Sequence, residues 1–307
     1  MADLLVIGGN GFIGSHLVDA LAADGHRVAA FDRFSGSQPN YRAEGVTALR
    51  GDFLSSADLG SAVAGRDWVF HMLSTSTPAS AEGDPTFDLR TNVAQTVELL
   101  ELCAEAGVKH VFYASTGGAI YGDQGREEYA ESDPTLPISP YGIGKLTIER
   151  YLEYFRATHG LASTALRISN PYGSRQRAFR RQGLIPIALR NIVEGRPVVR
   201  YGDGGMVRDY IYVEDAVRMI LTIAEGEPEA PIYKLGSGHG LSVNEVFDSL
   251  RRVTGIDFEI TEVPTPPTFV RKVVLDTGLF DREFGPFDRL GLDDGIRLTL
   301  DDISRKP

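Results

Sequence analysis

The opening of the chain sets a buried strand, a glycine-rich turn and a helix in direct succession, and this order limits the possible fold more than any other feature. Leu4–Ile7 is an apolar run with the pattern of a buried parallel strand, and the segment 8–14, GGNGFIG, follows it. Ile13, Leu17 and Leu21 then recur at the spacing of one helix face. This order predicts a dinucleotide-binding turn, although an ordinary tight turn has the same outline.

Each glycine of the turn has a physical task if a dinucleotide binds there. Gly8 and Gly11 let the backbone turn tightly and approach a pyrophosphate without a Cβ in the way. Gly14 lets the helix pack close to the sheet. The N-terminus of the helix then presents free N–H groups and the positive end of the helix dipole to the phosphates.

An acidic residue follows the second predicted strand, Arg27–Phe31. This residue, Asp32, lies 18 residues beyond Gly14. A carboxylate at about this spacing hydrogen-bonds the adenosine ribose in dinucleotide-binding folds and repels a 2′-phosphate. The position therefore favours NAD over NADP. The adjacent Arg33 weakens that inference, and a solvated loop acid is the alternative for Asp32.

Strands and helices alternate through the first half of the chain. The alternation predicts an α/β fold: a Rossmann-type doubly wound parallel sheet with a smaller, mixed α/β C-terminal substrate lobe. We place the NAD-binding domain at 1–168, with later segments (about 207–235) returning to it, and a mainly substrate-binding lobe at 169–307. Long helices are predicted at Pro85–Ala106 and Ser139–His159. The first is apolar on two sides, one for the sheet and one for a second subunit.

Composition narrows the range of partners and compartments. The net charge of −11 argues against a nucleic-acid partner, and no Lys/Arg run suggests a membrane anchor. The single cysteine, Cys103, suits a reducing compartment. Neither a signal peptide nor an apolar run of transmembrane length is recognised, so we expect a cytoplasmic protein. The six histidines are scattered without ligand spacing, and no metal site is predicted.

The segment SPYGIGK carries the most specific chemistry. Tyr141 and Lys145 lie four residues apart at the start of a predicted helix, so their side chains share a face. A free phenol, with a pKa of about 10, is a poor base near neutral pH. A neighbouring ammonium, and further a positively charged nicotinamide, would lower the pKa of Tyr141. Tyr141 would then accept a hydroxyl proton while hydride leaves the same carbon. The alternative is a surface pair on an amphipathic helix.

Together these motifs resemble those of the extended short-chain dehydrogenase/reductases that act on nucleotide sugars. The resemblance covers nearly the whole chain and is strongest to the UDP-glucose (UDP-galactose) 4-epimerases. It rests on GGNGFIGSH, Asp32, GDF at Gly51, STGGAIYG at Ser115, SPYGIGK at Ser139, SNPYG at Ser169 and VRDYIYVEDA at Val207. It implies an NAD cofactor, a nucleotide-sugar substrate that is UDP-linked, and a homodimer.

The resemblance also implies roles for individual residues. The cofactor contacts would be Gly8, Gly11, Phe12, Ile13 and Gly14 at the pyrophosphate, Asp32, Arg33 and Ser35 at the adenosine ribose, Asp52 and Phe53 at the adenine, Leu73, Ser74 and Asn92 beside the fourth strand, and Ser115, Tyr141 and Lys145 at the nicotinamide and its ribose. Asn170 and Arg208 would bind the sugar nucleotide, Arg208 through the diphosphate. The alternatives are Asp52 as a helix N-terminal acid, Asn92 as a buried hydrogen-bonder, Asn170 as a turn residue and Arg208 as the partner of Asp209.

The chain departs from the epimerase pattern where a hydroxyl contacts the substrate. Epimerases usually carry a Ser or Thr four residues before the tyrosine that matches Tyr121, and this position is Gly117 here. Thr116 is the nearest hydroxyl, one place off. We therefore expect either that Thr116 takes over this catalytic and substrate-binding role beside Gly117, or that the role is lost.

Two cations of the epimerases are also missing. A lysine that some members carry after the fourth strand is Ser76 here. The second diphosphate arginine is Pro266, and Arg271 lies nearby but out of register. Arg271 is the remaining candidate for that phosphate contact.

The same turn that carries Gly117 also bears on the type of reaction. Dehydratases and acid decarboxylases of the family place acidic residues where this chain has Gly118 and Ala119. Elimination of water is therefore disfavoured, and reversible oxidation at C4 of a nucleotide sugar remains. We expect a UDP-hexose 4-epimerase, with a nucleotide-4-ketosugar reductase or a non-catalytic NAD-binding sensor or scaffold as alternatives.

Overall fold

The computed structural model describes residues 1–36, 38–176, 183–266 and 268–304. In chain order the strands are β1 (Asp3–Ile7), β2 (Arg27–Asp32), β3 (Thr47–Arg50), β4 (Trp68–His71), β5 (His110–Thr116), β6 (Ala162–Ile168), β7 (Asn170–Tyr172), β8 (Val198–Tyr201), β9 (Val207–Tyr212), β10 (Ile232–Leu235), β11 (Gly240–Ser242), β12 (Ile260–Val263) and β13 (Lys272–Val273). The helices are α1 (Phe12–Ala23), α2 (Ser56–Val63), α3 (Pro78–Gly83), α4 (Pro85–Asp88), α5 (Gln95–Glu105), α6 (Pro140–His159), α7 (Leu184–Val193), α8 (Val213–Glu225), α9 (Val243–Thr254), α10 (Gly278–Phe284) and α11 (Leu292–Ser304). A π-helical segment, Leu89–Ala94, joins α4 to α5. Among the described residues, no helix combines the length and apolar character needed to cross a membrane.

The chain divides into two compact units. The first comprises Met1–Thr116, Pro137–Arg167 and Val217–Tyr233, and the second comprises Gly117–Leu136, Ile168–Ala216 and Lys234–Pro307. The segment between β5 and α6 therefore groups with the second unit, whereas the sequence alone placed it inside 1–168. The assignment of separate cofactor and substrate roles to the two parts of the chain stays a prediction.

A seven-stranded sheet forms the centre of the first unit, in the order β10-β6-β5-β4-β1-β2-β3. β1 pairs in parallel with both β2 and β4, so the strand order reverses at β1. The apolar run Leu4–Ile7 is fully buried in the middle of this sheet, as its composition predicts. The Rossmann-type parallel sheet is thus confirmed. The reversal also fixes the crevice beyond the carboxyl ends of β1 and β4 as the place where such sheets bind ligands.

Helices α2, α5 and α6 contribute to the core of the first unit. Leu59, Leu99, Leu100, Leu152 and Phe155 are buried in one apolar cluster with residues of β1, β2, β4 and β5. Burial of these side chains holds α6 against the sheet, because each contributes about 1.5–3 kcal/mol when removed from water. The core therefore fixes the helix that carries Tyr141.

The long helix predicted at Pro85–Ala106 is interrupted. The π-helical segment Leu89–Ala94 separates α4 from α5, and α5 ends at Glu105. Here the Thr91 hydroxyl donates to the Phe87 carbonyl at 2.8 Å, a back-bond that competes with the regular helical pattern. Leu89, at the start of this segment, is 49% exposed. Such π-turns often accompany functional sites.

The second unit is built around β9. β11 pairs antiparallel with one side of β9, while β13 and β7 pair with it in parallel. β8 and β12 form a separate parallel pair. Apolar residues of α7, α9 and α11 pack in one cluster with Tyr172 and Tyr212. This mixed arrangement agrees with the predicted smaller α/β lobe.

Candidate active site

The glycine turn leaves the N-terminus of α1 without a side-chain cap. Gly11 is the N-cap residue, and the first helical hydrogen bond runs from the Ser15 amide to the Gly11 carbonyl at 3.1 Å. The amides of Phe12, Ile13 and Gly14 therefore precede the hydrogen-bond ladder of the helix. Uncapped amides at the positive end of a helix dipole form an anion site, so the arrangement fits the pyrophosphate of NAD.

The turn has no room for side chains at two of its glycines. A Cβ on Gly14 would lie 2.1 Å from the Gly8 carbonyl oxygen, and one on Gly8 would lie 2.9 Å from the Leu73 amide nitrogen. Gly8 also has a φ of +81°, which favours glycine. The sequence suggested that Gly14 packs close to the sheet. Its close contact is instead with the glycine turn itself. This packing brings Leu73, after β4, directly against the glycine turn.

Gly14→Ala should abolish NAD binding, because the new Cβ would displace the Gly8 carbonyl and with it the amides of the turn. Overpacking of this kind lowers the free energy of unfolding by about 1–3 kcal/mol. Urea titration and calorimetric titration with NAD measure the two effects. Gly83→Ala is the matched control, since no atom lies within 4 Å of a Cβ built there. Wild-type NAD affinity in Gly14→Ala would contradict the assignment of this turn to the pyrophosphate.

Asp32 ends β2 beside the glycine turn. Its carboxylate accepts hydrogen bonds from the Asn10 amide at 3.2 Å and the Arg33 amide at 2.8 Å. The side chain is held next to the turn and is not an unconstrained loop acid. Arg33 and Ser35 are exposed in the loop that follows. The arrangement fits the predicted contact of Asp32 with the adenosine ribose.

Asp52 and Phe53 differ in what they can offer an adenine. Asp52 is exposed, and its Oδ1 accepts a hydrogen bond from the Leu54 amide at 3.0 Å. The Phe53 side chain is only 3% exposed and packs against His71, with ring centroids 5.1 Å apart. The ring of Phe53 therefore belongs to the core, and the expected contact of this residue with the adenine stays a prediction. Burial of the ring beside β4 explains why an apolar residue occupies this position.

Asn92 braces the loop after β4. Its Oδ1 accepts from the Thr75 amide at 2.9 Å, and its Nδ2 donates to Ser76 Oγ and Asp88 Oδ1 at 2.9 and 2.8 Å. The side chain is 7% exposed, so the alternative of a buried hydrogen-bonder describes it best. Ser74 donates to the Ser76 carbonyl at 2.9 Å within the same loop. Through these hydrogen bonds, Asn92 fixes the conformation of the loop that contains Leu73 and Ser74.

Tyr141 and Lys145 share one face of α6, as the sequence predicts. Ser139 caps the helix by accepting from the Gly142 amide at 3.2 Å, which sets the first turn. Lys145 Nζ donates to the Ala114 carbonyl at 2.7 Å and lies 4.7 Å from the Tyr113 ring centroid. The same nitrogen lies 5.7 Å from the Tyr141 ring centroid. Lys145 is 7% exposed, so the alternative of a surface pair is excluded.

Burial controls the protonation of both groups. It lowers the pKa of Lys145 to about 8, opposed by the carboxylates of Asp88 and Glu149. It raises the pKa of Tyr141 above the usual value for a phenol, and the Asp88 carboxylate raises it further. The expectation that Lys145 makes Tyr141 acidic is therefore wrong for the protein alone, because desolvation of the phenolate outweighs an ammonium already bonded to Ala114.

The two hydroxyls at the end of β5 point in different directions. Ser115 Oγ donates to Glu149 Oε1 of α6 at 2.5 Å, so this hydroxyl is bound within the core. Side chains alternate along a strand, and Thr116 therefore points to the sheet face opposite Ser115 and α6. The expectation that Thr116 replaces the hydroxyl missing at Gly117 is not supported by this alternation. The expected place of Ser115 at the nicotinamide stays a prediction.

Glu149 and Arg167 form a buried ion pair that the sequence analysis missed. Arg167 Nη2 and Nε lie 2.7 and 3.1 Å from the Glu149 carboxylate, and both side chains are 3% exposed. A glutamate four residues after Lys145, on the same helix face, was the available signal. The pair ties α6 to β6 behind Lys145.

Within the second unit, the predicted substrate residues lie on and beside β9. Asn170 Nδ2 donates to the Asp209 carbonyl at 2.9 Å, and the Gly117 amide donates to the Ile168 carbonyl at 2.8 Å. Arg208 Nη1 donates to the Val207 carbonyl at 2.8 Å and reaches the Arg271 carbonyl at 3.5 Å. The pairing of β13 with β9 thus brings the two predicted arginines together.

Asp209 is not the partner of Arg208. Its carboxylate is 1% exposed and accepts from the amide and hydroxyl of Ser237 at 2.7 and 2.8 Å, and from the Gly238 amide at 3.2 Å. Those donors hold Asp209 in the interior of the unit. Arg208 instead contacts the carbonyls of Val207 and Arg271, with Asp123 contributing a nearby negative charge.

One histidine lies in a cluster that sequence spacing did not reveal. His26 Nε2, Asp24 and Glu225 place possible ligand atoms within 4.8 Å of one another. However, His26 Nδ1 accepts from the Ala2 amide at 3.2 Å, which puts the proton of the neutral ring on Nε2. That nitrogen then offers a proton to the carboxylates rather than a lone pair to a metal. The cluster is explained by hydrogen bonding of its acids, and the Asp24 carboxylate raises the pKa of Glu225 to about 7.

Comparison with known proteins agrees with this arrangement. A profile of the NAD dependent epimerase/dehydratase family matches residues 4–236. The crystal structure of the Thermotoga maritima UDP-glucose 4-epimerase with UDP-glucose has 33% sequence identity and a TM-score of 0.92 over 99% of both chains. The Thermus thermophilus UDP-glucose 4-epimerase in complex with NAD has 31% identity and a TM-score of 0.91 over 99% of both chains. A Streptomyces griseus dTDP-glucose 4,6-dehydratase is 31% identical over 97% of this chain and 92% of its own. The similarity thus extends to epimerases and dehydratases.

Proposed function

Because the chain belongs to the NAD dependent epimerase/dehydratase family, we propose that it interconverts the C4 epimers of a UDP-hexose through a 4-keto sugar. The observation that carries this proposal is the Tyr141–Lys145 pair, fixed on α6 by the Ala114 carbonyl. Gly118 and Ala119, where related dehydratases carry acids, support epimerisation over elimination of water. NAD is the cofactor of this family.

We assign cofactor binding and proton transfer to different residues of the first unit. The amides of Phe12, Ile13 and Gly14 would hold the pyrophosphate, and Asp32 the adenosine ribose. When bound, NAD supplies the hydride acceptor and a positively charged ring. That positive charge would lower the pKa of Tyr141. As a phenolate, Tyr141 would then accept the proton of the C4 hydroxyl during oxidation and return it after the sugar has turned over. Lys145 would keep its ammonium beside Tyr141 while bonded to Ala114.

The substrate contacts belong to residues of the second unit. Arg208 and Arg271 would pair with the diphosphate, since a guanidinium fork binds phosphate oxygens well. Asn170 would contact the sugar nucleotide beside Gly117. Val273 matches a position that limits pocket size in the epimerases and is smaller than the aromatic residue found there in some of them, which favours a substrate with a bulkier sugar substituent, such as an N-acetyl or carboxylate group.

Incubation of the purified protein with UDP-glucose, without added cofactor, should yield UDP-galactose. Parallel incubations with UDP-N-acetylglucosamine and UDP-glucuronate would identify the preferred sugar. Loss of NAD during purification, together with turnover of a 4-keto sugar only when NAD(P)H is added, would indicate a reductase instead. NAD binding without turnover of any nucleotide sugar would indicate a sensor or scaffold and would overturn the proposal.

We also propose that the protein is a homodimer through α4–α5 and α6. Leu89, Ile143, Tyr151 and Tyr154 are between 38% and 51% exposed on these elements, although they are large and apolar or aromatic. A continuous apolar helix face on a protein surface is often covered by a partner. A monomeric mass in light scattering at micromolar concentration would contradict this proposal.

A further inference from the structure

A buried carboxylate lies next to the Tyr141–Lys145 turn, and the mechanism above does not use it. Asp88, the last residue of α4, is 3% exposed. Its Oδ1 accepts hydrogen bonds from Asn92 Nδ2 at 2.8 Å and from Ser76 Oγ. Both donors are themselves buried, at 7% and 4% exposure. The carboxylate is therefore held rigidly, with its orientation set from two elements.

The second oxygen of Asp88 faces α6. A Cβ built on Gly144 would lie 2.1 Å from Asp88 Oδ2 and 3.3 Å from its carboxyl carbon. Gly144 stands between Tyr141 and Lys145, so the absence of a side chain there lets the carboxylate approach this turn of the helix. Only glycine permits the contact without moving one of the two groups.

Other charged and titratable groups also surround the pair. Glu149 lies on α6 itself but is neutralised by Arg167 of β6 at 2.7 Å. From the sheet, Tyr113 of β5 faces Lys145, and His71 of β4 packs against Tyr113 with ring centroids 5.4 Å apart. Burial lowers the pKa of His71 to about 3, and burial raises the pKa of Tyr113, so both groups are neutral near pH 7. Asp88 is thus an anion beside Tyr141 and Lys145, and its own hydrogen-bond donors, Ser76 and Asn92, are neutral.

We propose that Asp88, held by Ser76 and Asn92 against Gly144, is a positioning residue whose negative charge keeps the Lys145 ammonium protonated beside Tyr141. Its role in turnover rests on the proposed epimerase function, whereas its effect on Lys145 is a property of the protein itself. The charge of Asp88 opposes the desolvation of Lys145 and disfavours the Tyr141 phenolate. With NAD bound, whose positively charged ring would lower the pKa of Tyr141, the same anion would therefore set both ends of the pH range in which the pair can work.

Asp88→Asn should lower the pKa of Lys145 from about 8 by at least about one pH unit, as expected for removal of a nearby opposite charge. The chain contains five lysines, so the ¹³Cε signal of Lys145 can be assigned with Lys145→Arg and followed through a pH titration. This measurement needs neither substrate nor turnover. In the pH profile of kcat, both limbs should move to lower pH, because Tyr141 and Lys145 each lose a proton more readily without the anion.

Ser76→Ala is the matched control. It removes one hydrogen bond from Asp88 Oδ1 but keeps the charge, so it should lower stability without moving the Lys145 titration. If Asp88→Asn does not fold, Gly144→Ala tests the same point, because its Cβ must push Oδ2 away while the charge is retained. A lowered pKa of Lys145 in that variant supports the proposal. An unchanged Lys145 titration in Asp88→Asn, or in Gly144→Ala should Asp88→Asn not fold, overturns the proposal even if the protein is an active epimerase. Absence of epimerase activity in the wild type, with the Lys145 shift present, overturns only the proposed function.

Discussion

Tyr141→Phe should lower kcat for epimerisation by about 10²–10⁴-fold, the usual contribution of a positioned acid–base group. The hydroxyl of Tyr141 is the only group removed, and Lys145 keeps its bond to Ala114. NAD binding should be retained, since the glycine turn and Asp32 are unaffected. Coupled conversion of UDP-galactose to UDP-glucose measures the loss, and the absorbance of bound nucleotide after purification measures retention.

Tyr151→Phe is the matched control for this prediction. It makes the same chemical change on the same helix, but Tyr151 is 38% exposed and lies on the outer side of α6. We expect wild-type kcat in this variant. Full activity in Tyr141→Phe would show that another group carries the proton, and Tyr113 would then be the first alternative, because its ring lies directly under Lys145.

The sequence predicts the parts of this site that depend on local backbone geometry. A buried strand, a glycine turn and a helix predict the pyrophosphate site, and the contact of Gly14 with Gly8 arises within that short segment, whereas the contact of Gly8 with Leu73 depends on the pairing of β1 with β4. The Tyr141–Lys145 pair is equally local, since four residues make one helical turn. The doubly wound parallel sheet likewise follows from the alternation of β and α elements.

Features that depend on tertiary packing were harder to predict. The resemblance places Phe53 at the adenine, but only the fold shows that its ring fills the core beside His71. The helical spacing of Leu89 and Val93 predicts one straight helix, whereas the bond from Thr91 to Phe87 favours a π-turn.

Charge states were the least predictable feature from sequence. An ammonium four residues from a phenol suggests a lowered pKa for Tyr141, but the burial that raises it is set by the whole sheet. Likewise Asp88 and Gly144 are 56 residues apart in the chain, and no sequence pattern links them. Their contact appears only when α4 and α6 are packed together.

The buried pair between Glu149 and Arg167 carries the largest expected effect on stability. Arg167→Leu leaves the Glu149 carboxylate in the core without its arginine partner. Among the residues that the structure describes, the Ser115 hydroxyl still donates a hydrogen bond to it. Breaking a buried ion pair in this way lowers the free energy of unfolding by about 3–5 kcal/mol. Urea denaturation at fixed protein and NAD concentrations measures the loss, because ligand and subunit binding would otherwise shift the transition.

Two further variants separate the cost of an unpaired charge from other effects. Arg150→Leu removes an exposed pair with Glu153 on the same helix, where the side chains are 62% and 44% exposed, and exposed pairs contribute only about 0.2–1 kcal/mol. The double variant Glu149→Leu/Arg167→Leu should recover part of the loss, because no buried charge then lacks a partner. If Arg167→Leu were no more destabilising than Arg150→Leu, water or another cation would have to neutralise Glu149. The ion pair would then not be what holds α6 against β6 behind Lys145.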